Sequence, residues 1–269
     1  MFSSFPNVVA LLAVAVMATT SSSFARELRV CADPDNLPFS NSRQQGFENR
    51  IAEVVAGDLH AHLSYVWQRM GRGFVREYLN KGVCDLLIGV PQAFSPVLAT
   101  APYYRSTYVF VTRRDRQLKP ASLDDPSLRQ MKIGVQVLEE DYTPAASALA
   151  RRGLQSEIVG FDTLGEAADS IIRAVEDHRV DTAVVWGPLA GYFARKFGNS
   201  LQIAPVVPEV DPPGLPFTFA ISMGVRKGNT ELRNELNDVL QRRGGDIQRI
   251  LGDFGVPQLE LAPPTGAGE

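Results

Sequence analysis

Apolar residues along this chain fall into short continuous runs and longer helical stripes that alternate in a fixed order. Leu28-Arg29-Val30-Cys31-Ala32 predicts a short buried strand that breaks into the turn-rich Asp33-Pro34-Asp35-Asn36-Leu37-Pro38. Phe47, Ile51, Val54, Val55 and Leu59 then recur at helical spacing, leaving Glu48, Asn49, Arg50, Glu53 and Asp58 largely for the wet side. Leu63 to Trp67 predicts the next strand. Phe74, Tyr78 and Leu79 mark a second helix closed by Lys81-Gly82, and Asp85 to Val90 is a fully apolar strand suited to a parallel sheet covered on both faces. The run is βαβαβ.

The β-branched and aromatic strand Ser106 to Thr112 is long enough to leave that unit, and the same order then restarts. Met131 to Gln136 predicts a strand, Thr143 to Arg152 a helix closed by Gly153, and Glu157 to Val159 a strand. Leu164, Ala168, Ile171, Ile172 and Val175 form an apolar helix face, and Asp181 to Trp186 another buried strand. Pro216 to Val225 is a second long strand able to cross back. It leads into a helix capped by Asn229 or Thr230 that carries Leu232, Leu236, Val239 and Leu240. A separate last helix, with Ile247, Ile250, Leu251 and Phe254, is expected after Asp246 and before Gly255 and Pro257. Both helices should pack on the first unit.

These elements predict an α/β chain of two lobes, 26–110 with 221–258 against 111–220, followed by a disordered tail, 259–269, too poor in apolar side chains to bury. Residues 1–25 hold an apolar run from Val8 to Met17 and then Ser21-Ser22-Ser23-Phe24-Ala25, the small residues that a signal peptidase requires. They predict a removed export signal. The segment has no Lys or Arg, which leaves a membrane anchor as the alternative, but the run is well short of the roughly 20 residues that span a bilayer.

Composition narrows the function classes. The net charge of −3 arises wholly after the leader, and a chain so near neutrality lacks the basic footprint of a nucleic-acid binder. Two cysteines, Cys31 and Cys84, would occupy an oxidising compartment, where a pair reads as a disulfide. Against this, Cys31 near the end of one strand and Cys84 opening another would be offset by about three residues, roughly 10 Å at strand rise. The bridge stays open at this point.

Over nearly the whole exported part, the chain resembles the periplasmic solute-binding protein superfamily. Cys31-Ala32-Asp33-Pro34-Asp35-Asn36-Leu37-Pro38-Phe39, Gly46 to Ala52 and Gly82 to Leu86 follow that family's first-lobe order. More narrowly, it is similar to the quinoprotein-dehydrogenase-associated branch, the MoxJ and XoxJ proteins encoded with methanol dehydrogenases. The motifs are Arg72 to Arg76, Pro102 to Phe110, Asp141-Tyr142-Thr143-Pro144, Val184 to Tyr192 and Ser222 to Gly228. The resemblance implies a two-lobed periplasmic-binding-protein fold with two crossing hinge strands, near Thr107 to Arg113 and Phe217 to Arg226. The ligand cleft would lie at the strand ends.

Amino-acid-binding relatives grip a carboxylate with an Arg after the strand that ends here at Gly89-Val90, because a bidentate fork suits that anion. Here residues 89–101 contain no basic residue, and Arg105 is the nearest substitute. The opposite lobe's acid, which pairs with a ligand ammonium, is replaced by Trp186, worth about 0.5–2 kcal/mol to a cation through its face. Trp186 packing inside its lobe is the alternative, opposed by Gly187-Pro188 directly after it. Glu139, Glu140 and Asp141 precede the next helix and either complement its dipole or repel an anion there. A calcium or lanthanide site in them is disfavoured because three adjacent acids do not face one way.

Asp33, Phe39, Arg72, Phe74, Tyr104, Arg105, Tyr108, Tyr142, Trp186, Pro188 and Tyr192 are therefore the candidate cleft residues, with Asp33 equally suited to capping the turn at Pro34. His60, His62 and His178 read as solvated, and no nucleophile elbow or phosphate loop is present. A non-catalytic, monomeric periplasmic protein is expected, without cofactor or resident metal. By the resemblance, its partner would be a pyrroloquinoline-quinone-dependent alcohol dehydrogenase in assembly, with that enzyme's cytochrome c a second candidate. The alternative is the solute-binding component of a permease for an apolar or aromatic solute.

Overall fold

The computed structural model describes residues 26–138 and 141–261, so the expected signal peptide lies outside the described residues. In chain order the principal elements are β1 (Glu27–Ala32), α1 (Phe47–Asp58), β2 (His62–Trp67), β3 (Leu86–Pro91), β4 (Tyr104–Arg113) and β5 (Ile133–Leu138). They continue with α2 (Pro144–Arg151), β6 (Ile158–Phe161), α3 (Ser170–Glu176), β7 (Thr182–Trp186), α4 (Gly187–Ala194), β8 (Leu201–Pro205), β9 (Thr218–Val225) and α5 (Thr230–Asp253).

Each βαβαβ run folds the same way. β1 lies between β2 and β3, parallel to both, with Val30 opposite Tyr65 on one side and Leu86 on the other. β5 lies between β6 and β7 in the same manner, Ile133 facing Ile158 and Thr182. The strands join into one mixed sheet in the order β6-β5-β7-β4-β9-β3-β1-β2. β4 makes the join: its start, Tyr104 to Thr107, pairs antiparallel with Ile221 to Thr218 of β9, and its remainder runs between β7 and β8. This is the two-lobed α/β fold that the alternating pattern predicts.

Three clusters of packed side chains follow from the topology. In the first half α1 and α5 cover the sheet, with Phe47, Ile51 and Val55 against Leu236 and Val239, all inaccessible to solvent. Such burial stabilises by about 1.5–3 kcal/mol per large side chain. In the second half, Ile133, Leu149 and Val184 form one cluster, and Val109, Ile172 and Phe193 another.

Several local expectations are corrected. The two final helices are one: α5 runs unbroken through Gly244-Gly245, because Leu232, Leu236, Val239, Ile247 and Leu251 keep one buried face in phase across the glycines. The second expected helix is a single wide π-type turn, Val75–Leu79. Trp186 does not simply end a strand but caps α4, which begins with Gly187-Pro188, Pro being compatible with a helix's first turn. Leu259 and Glu260, expected in the loose tail, are held by Arg105: the Leu259 N–H donates to the Arg105 carbonyl at 2.9 Å, and the Arg105 guanidinium donates to the Glu260 carbonyl at 3.4 Å. The rest of that tail, 262–269, lies outside the described residues.

Cys31 and Cys84 are joined, with their Cα atoms 5.5 Å apart. The anticipated offset does not arise, because Cys84 precedes β3 by two residues and approaches the end of β1 from the turn after Val75–Leu79. The bridge sits among Phe74, Leu79, Leu87 and Val97.

The halves also touch away from the hinge. A Cβ on Gly191 of α4 would lie 1.9 Å from the Gly255 carbonyl oxygen, so the two backbones are in direct contact. Tyr192 stacks on Phe254 at 5.6 Å, and the Arg195 guanidinium donates to the Asp253 carbonyl.

Two measurements check this account. A Cβ on exposed Gly245 would meet nothing within 4 Å, so Gly245→Ala should raise stability by about 1 kcal/mol in urea denaturation. The disulfide closes a loop of 53 residues, and replacing both cysteines with Ala should cost about 4 kcal/mol on the chain-entropy relation, read as a lowered thermal midpoint.

Candidate binding groove

Three antiparallel pairings, β3 with β9, β9 with β4 and β4 with β7, separate the parallel strands of the two halves, so β1 and β3 run toward β5, β6 and β7 and the residues at their carboxyl ends converge between the halves. They enclose a groove of about 1270 Å³. Asp33 follows β1, Gly89 and Pro91 end β3, Gln136 and Val137 end β5, Gly160 ends β6, and Trp186 ends β7. This is the position at which open α/β sheets bind ligands. Small-molecule pockets measure about 300–1,000 Å³, so the groove exceeds what one metabolite fills.

One wall is aromatic. Trp186 lies 5.5 Å from Tyr108 and 5.7 Å, edge-on, from Phe219, ring centroid to ring centroid. Gln136 holds the backbone here: its side-chain carbonyl accepts the Trp186 backbone N–H at 3.1 Å while its amide donates to the Thr163 hydroxyl at 3.1 Å. Tyr104 and Phe39 extend the apolar lining toward α1. Burial lifts the Tyr108 and Tyr104 phenols well above their ordinary range, so both rings are neutral at physiological pH.

The opposite wall is acidic. Asp33 is nearly inaccessible and accepts the N–H groups of Asp35 and Met70, each at 3.0 Å, one on each carboxylate oxygen. It thus ties two loops together while lining the groove. Glu48, the second residue of α1, also lines it. α1 is placed by the Pro38 and Phe39 carbonyls, which accept the N–H groups of Phe47 and Glu48 at 2.8 and 2.9 Å. The Glu48 carboxylate lies over Gly89, where a Cβ would come within 2.1 Å of its Oε1. Burial, and then the charge of Asp33, push its pKa up to about 7.

The candidate residues separate into two groups. Asp33, Phe39, Arg72, Tyr104, Tyr108 and Trp186 line the groove. Arg72 stands at the rim with Arg69, and both have interaction partners. Phe74, Arg105, Pro188 and Tyr192 are not among the lining residues. Phe74 stacks on Tyr78 at 4.9 Å in the cluster around the disulfide. Arg105 alternates with Tyr104 along β4, so it leaves on the other side, and it pairs with Glu209. It is no substitute for the missing carboxylate grip. Pro188 is buried in the first turn of α4, whose Leu189 lines the groove instead, and Tyr192 faces Phe254. The backbone of Tyr142 pairs with Val137, while its side chain and those of Glu139, Glu140 and Asp141 lie outside the described residues.

Glu48, Gln136 and Phe219 were not singled out from sequence. Glu48 was placed on the wet helix face, yet a glycine at position 89 inside an otherwise apolar strand is the mark of close approach by another group. Among the described residues no group of three or more His, Cys, Asp or Glu side chains is arranged to hold a metal, and no helix is long and apolar enough to cross a membrane.

Residues 28–253 match the family described as bacterial extracellular solute-binding proteins, family 3. The chain belongs to that family. Within these solute-binding proteins it is similar to Protein MoxJ of Paracoccus denitrificans, 30% identical over 263 residues, or 92% of this chain and 94% of that protein. Among solved structures, it is similar to MxaJ from Methlophaga aminisulfidivorans MPT, with a TM-score of 0.74 at 28% identity, covering 86% of this chain and all of that one. The periplasmic binding protein XoxJ from Methylobacterium extorquens AM1 gives a TM-score of 0.70 at 36% identity, covering 87% of this chain and all of that one. It is a MoxJ- and XoxJ-like solute-binding protein.

The raised Glu48 pKa has a signed consequence. The folded state holds this proton more tightly than the unfolded chain does, so the associated stability is complete below about pH 4.5 and is lost as pH rises through about 7. Urea denaturation should therefore show Glu48→Gln gaining on the parent by roughly 2–3 kcal/mol between pH 5 and pH 8.

Proposed function

We propose that this protein is a non-catalytic periplasmic partner of a pyrroloquinoline-quinone-dependent alcohol dehydrogenase, holding an apolar segment of that enzyme in the groove while it is assembled or activated. The observation that carries this reading is the aromatic wall of Tyr108, Trp186 and Phe219 in a groove larger than one metabolite requires, on a chain similar to MoxJ, MxaJ and XoxJ. The missing arginine after β3 supports it, since nothing in residues 89–101 forks onto a free carboxylate. Holding requires surface and no reacting groups: lobe 26–110 with 221–258 supplies one jaw and lobe 111–220 the other. The enzyme's cytochrome c is a further partner of the same assembly.

Family membership favours a second reading, delivery of a small solute to a permease by closure of the lobes. The readings separate on ligand size: a solute at 100 times its dissociation constant adds about 2.7 kcal/mol of stability, whereas an extended partner segment requires the dehydrogenase itself.

For the first reading, Trp186→Ala should reduce dehydrogenase recovered in a pull-down from periplasm by tenfold or more, about 1.4 kcal/mol. Arg105→Ala, whose guanidinium is committed to Glu209 outside the groove, should leave recovery unchanged. Equal recovery with both variants removes the groove as the docking surface.

A further inference from the structure

The groove contains a carboxylate that the protein leaves without a partner. Glu48 is half-buried and rests on Gly89, and no hydrogen bond or ion pair among the described residues reaches its side chain. Asp33 beside it is different, because both its oxygens already accept backbone N–H groups. Ring faces supply much of the remaining lining, Tyr108, Trp186 and Phe219 from the second half and the hinge, and Tyr104 and Phe39 beside α1, with Gln136, Thr163 and Asp162 among them and Arg69 and Arg72, which have partners of their own, on the same lining.

The chemistry of these walls selects among ligands. An anion entering here meets the charges of Glu48 and Asp33. A neutral apolar body satisfies the rings but leaves the carboxylate dry and unpaired, which costs free energy. An ammonium on an apolar stem satisfies both, through charge-assisted N–H hydrogen bonds to the carboxylate and attraction to the aromatic quadrupoles. A primary amine fits better than a quaternary one, since only the former has N–H donors.

We propose that the groove floor is a binding site for a free organic ammonium, a primary amine on an aromatic or aliphatic body, with Glu48 accepting its N–H hydrogen bonds and Tyr108, Trp186 and Phe219 enclosing the stem. The site differs from the ammonium position implied by the family resemblance, where the acid stands in place of Trp186. It goes beyond the dehydrogenase reading and does not depend on it, so amine binding by a protein that fails to recover dehydrogenase leaves this assignment standing.

The groups facing Glu48 are Asp33 after β1, Tyr103 and Tyr104 at the start of β4, Asp162 on the far lobe, and Arg69 and Arg72 at the rim. The two phenols are held neutral by burial, so Glu48 is the groove group that titrates near neutrality. Its ionised form is the competent one, and the ionised fraction rises from about one in eleven at pH 6 to about ten in eleven at pH 8. Apparent affinity for a cation should rise by about tenfold over that interval.

Isothermal titration calorimetry of the purified protein with phenethylammonium tests this, set against 2-phenylethanol, 3-phenylpropionate and a lysine blocked at both ends. Phenethylammonium should bind at least about tenfold more tightly than the alcohol or the acid and more tightly than the blocked lysine, and should show the stated pH dependence. Glu48→Gln should lose about tenfold or more in affinity and all of the pH dependence while keeping a cooperative thermal transition. Equal affinity for the alcohol, binding independent of pH in the parent protein, tighter binding of blocked lysine, or no heat at millimolar amine each overturns the proposal.

Discussion

The antiparallel pairing of β4 with β9 is confined to Tyr104–Thr107 against Thr218–Ile221, and the architecture depends on it. Beyond Thr107, β4 exchanges that neighbour for β7 and β8 and becomes the inner strand of the second half. Beyond Ile221, β9 continues along β3 and belongs to the first half. Two βαβαβ units therefore share one hydrogen-bonded sheet without sharing a core, and the Thr218 hydroxyl donating to that of Thr107 at 2.9 Å secures the crossing. The parallel strands of the two halves consequently run toward each other, and the loops at their carboxyl ends face across the space between the halves.

That convergence makes the walls chemically unequal. Where a zwitterion would require an ionic grip from each lobe, this groove has Trp186 at the strand end of one lobe and Asp33 and Glu48 on the other. Asp33 spends its oxygens on the loops that shape the rim, and Gln136 spends its amide on holding Trp186. The polar side chains whose identity is plain in sequence thus act largely as scaffolding for the aromatic surface, and the uncommitted carboxylate comes from a helix terminus.

Much of the fold was legible because helical and strand periodicities differ and because the apolar runs repeat in the same order. The parallel cores were readable in the apolar runs around Val30, Ile88, Val135 and Val184, and the crossings in the long strands Ser106 to Thr112 and Pro216 to Val225 together with the family resemblance. Boundaries governed by tertiary packing were harder to read: Gly244-Gly245 suggested a break that burial of Val239 and Ile247 on one face overrides. Cys84 could be placed only once the turn after Leu79 was known. In the groove, aromatic positions were read better than charged ones, since Trp186, Tyr104 and Tyr108 follow strand ends and alternation. Arg105 and Phe74 share those motifs but point elsewhere, a matter of local side-chain direction that motif membership does not encode. Glu48 was hidden by the assumption that an acid on an amphipathic helix faces water.

Gly191 of α4 and Gly255, just beyond the end of α5, touch backbone to backbone and belong to different halves. The spacing there has no side-chain cushion, so even a methyl group would tilt α4, and Trp186 caps that helix while Leu189 lies in its first turn. The breadth of the aromatic opening is accordingly governed from residues that never meet an occupant. Related chains could adapt to guests of different girth by altering this remote glycine contact, with every residue of the lining left as it is.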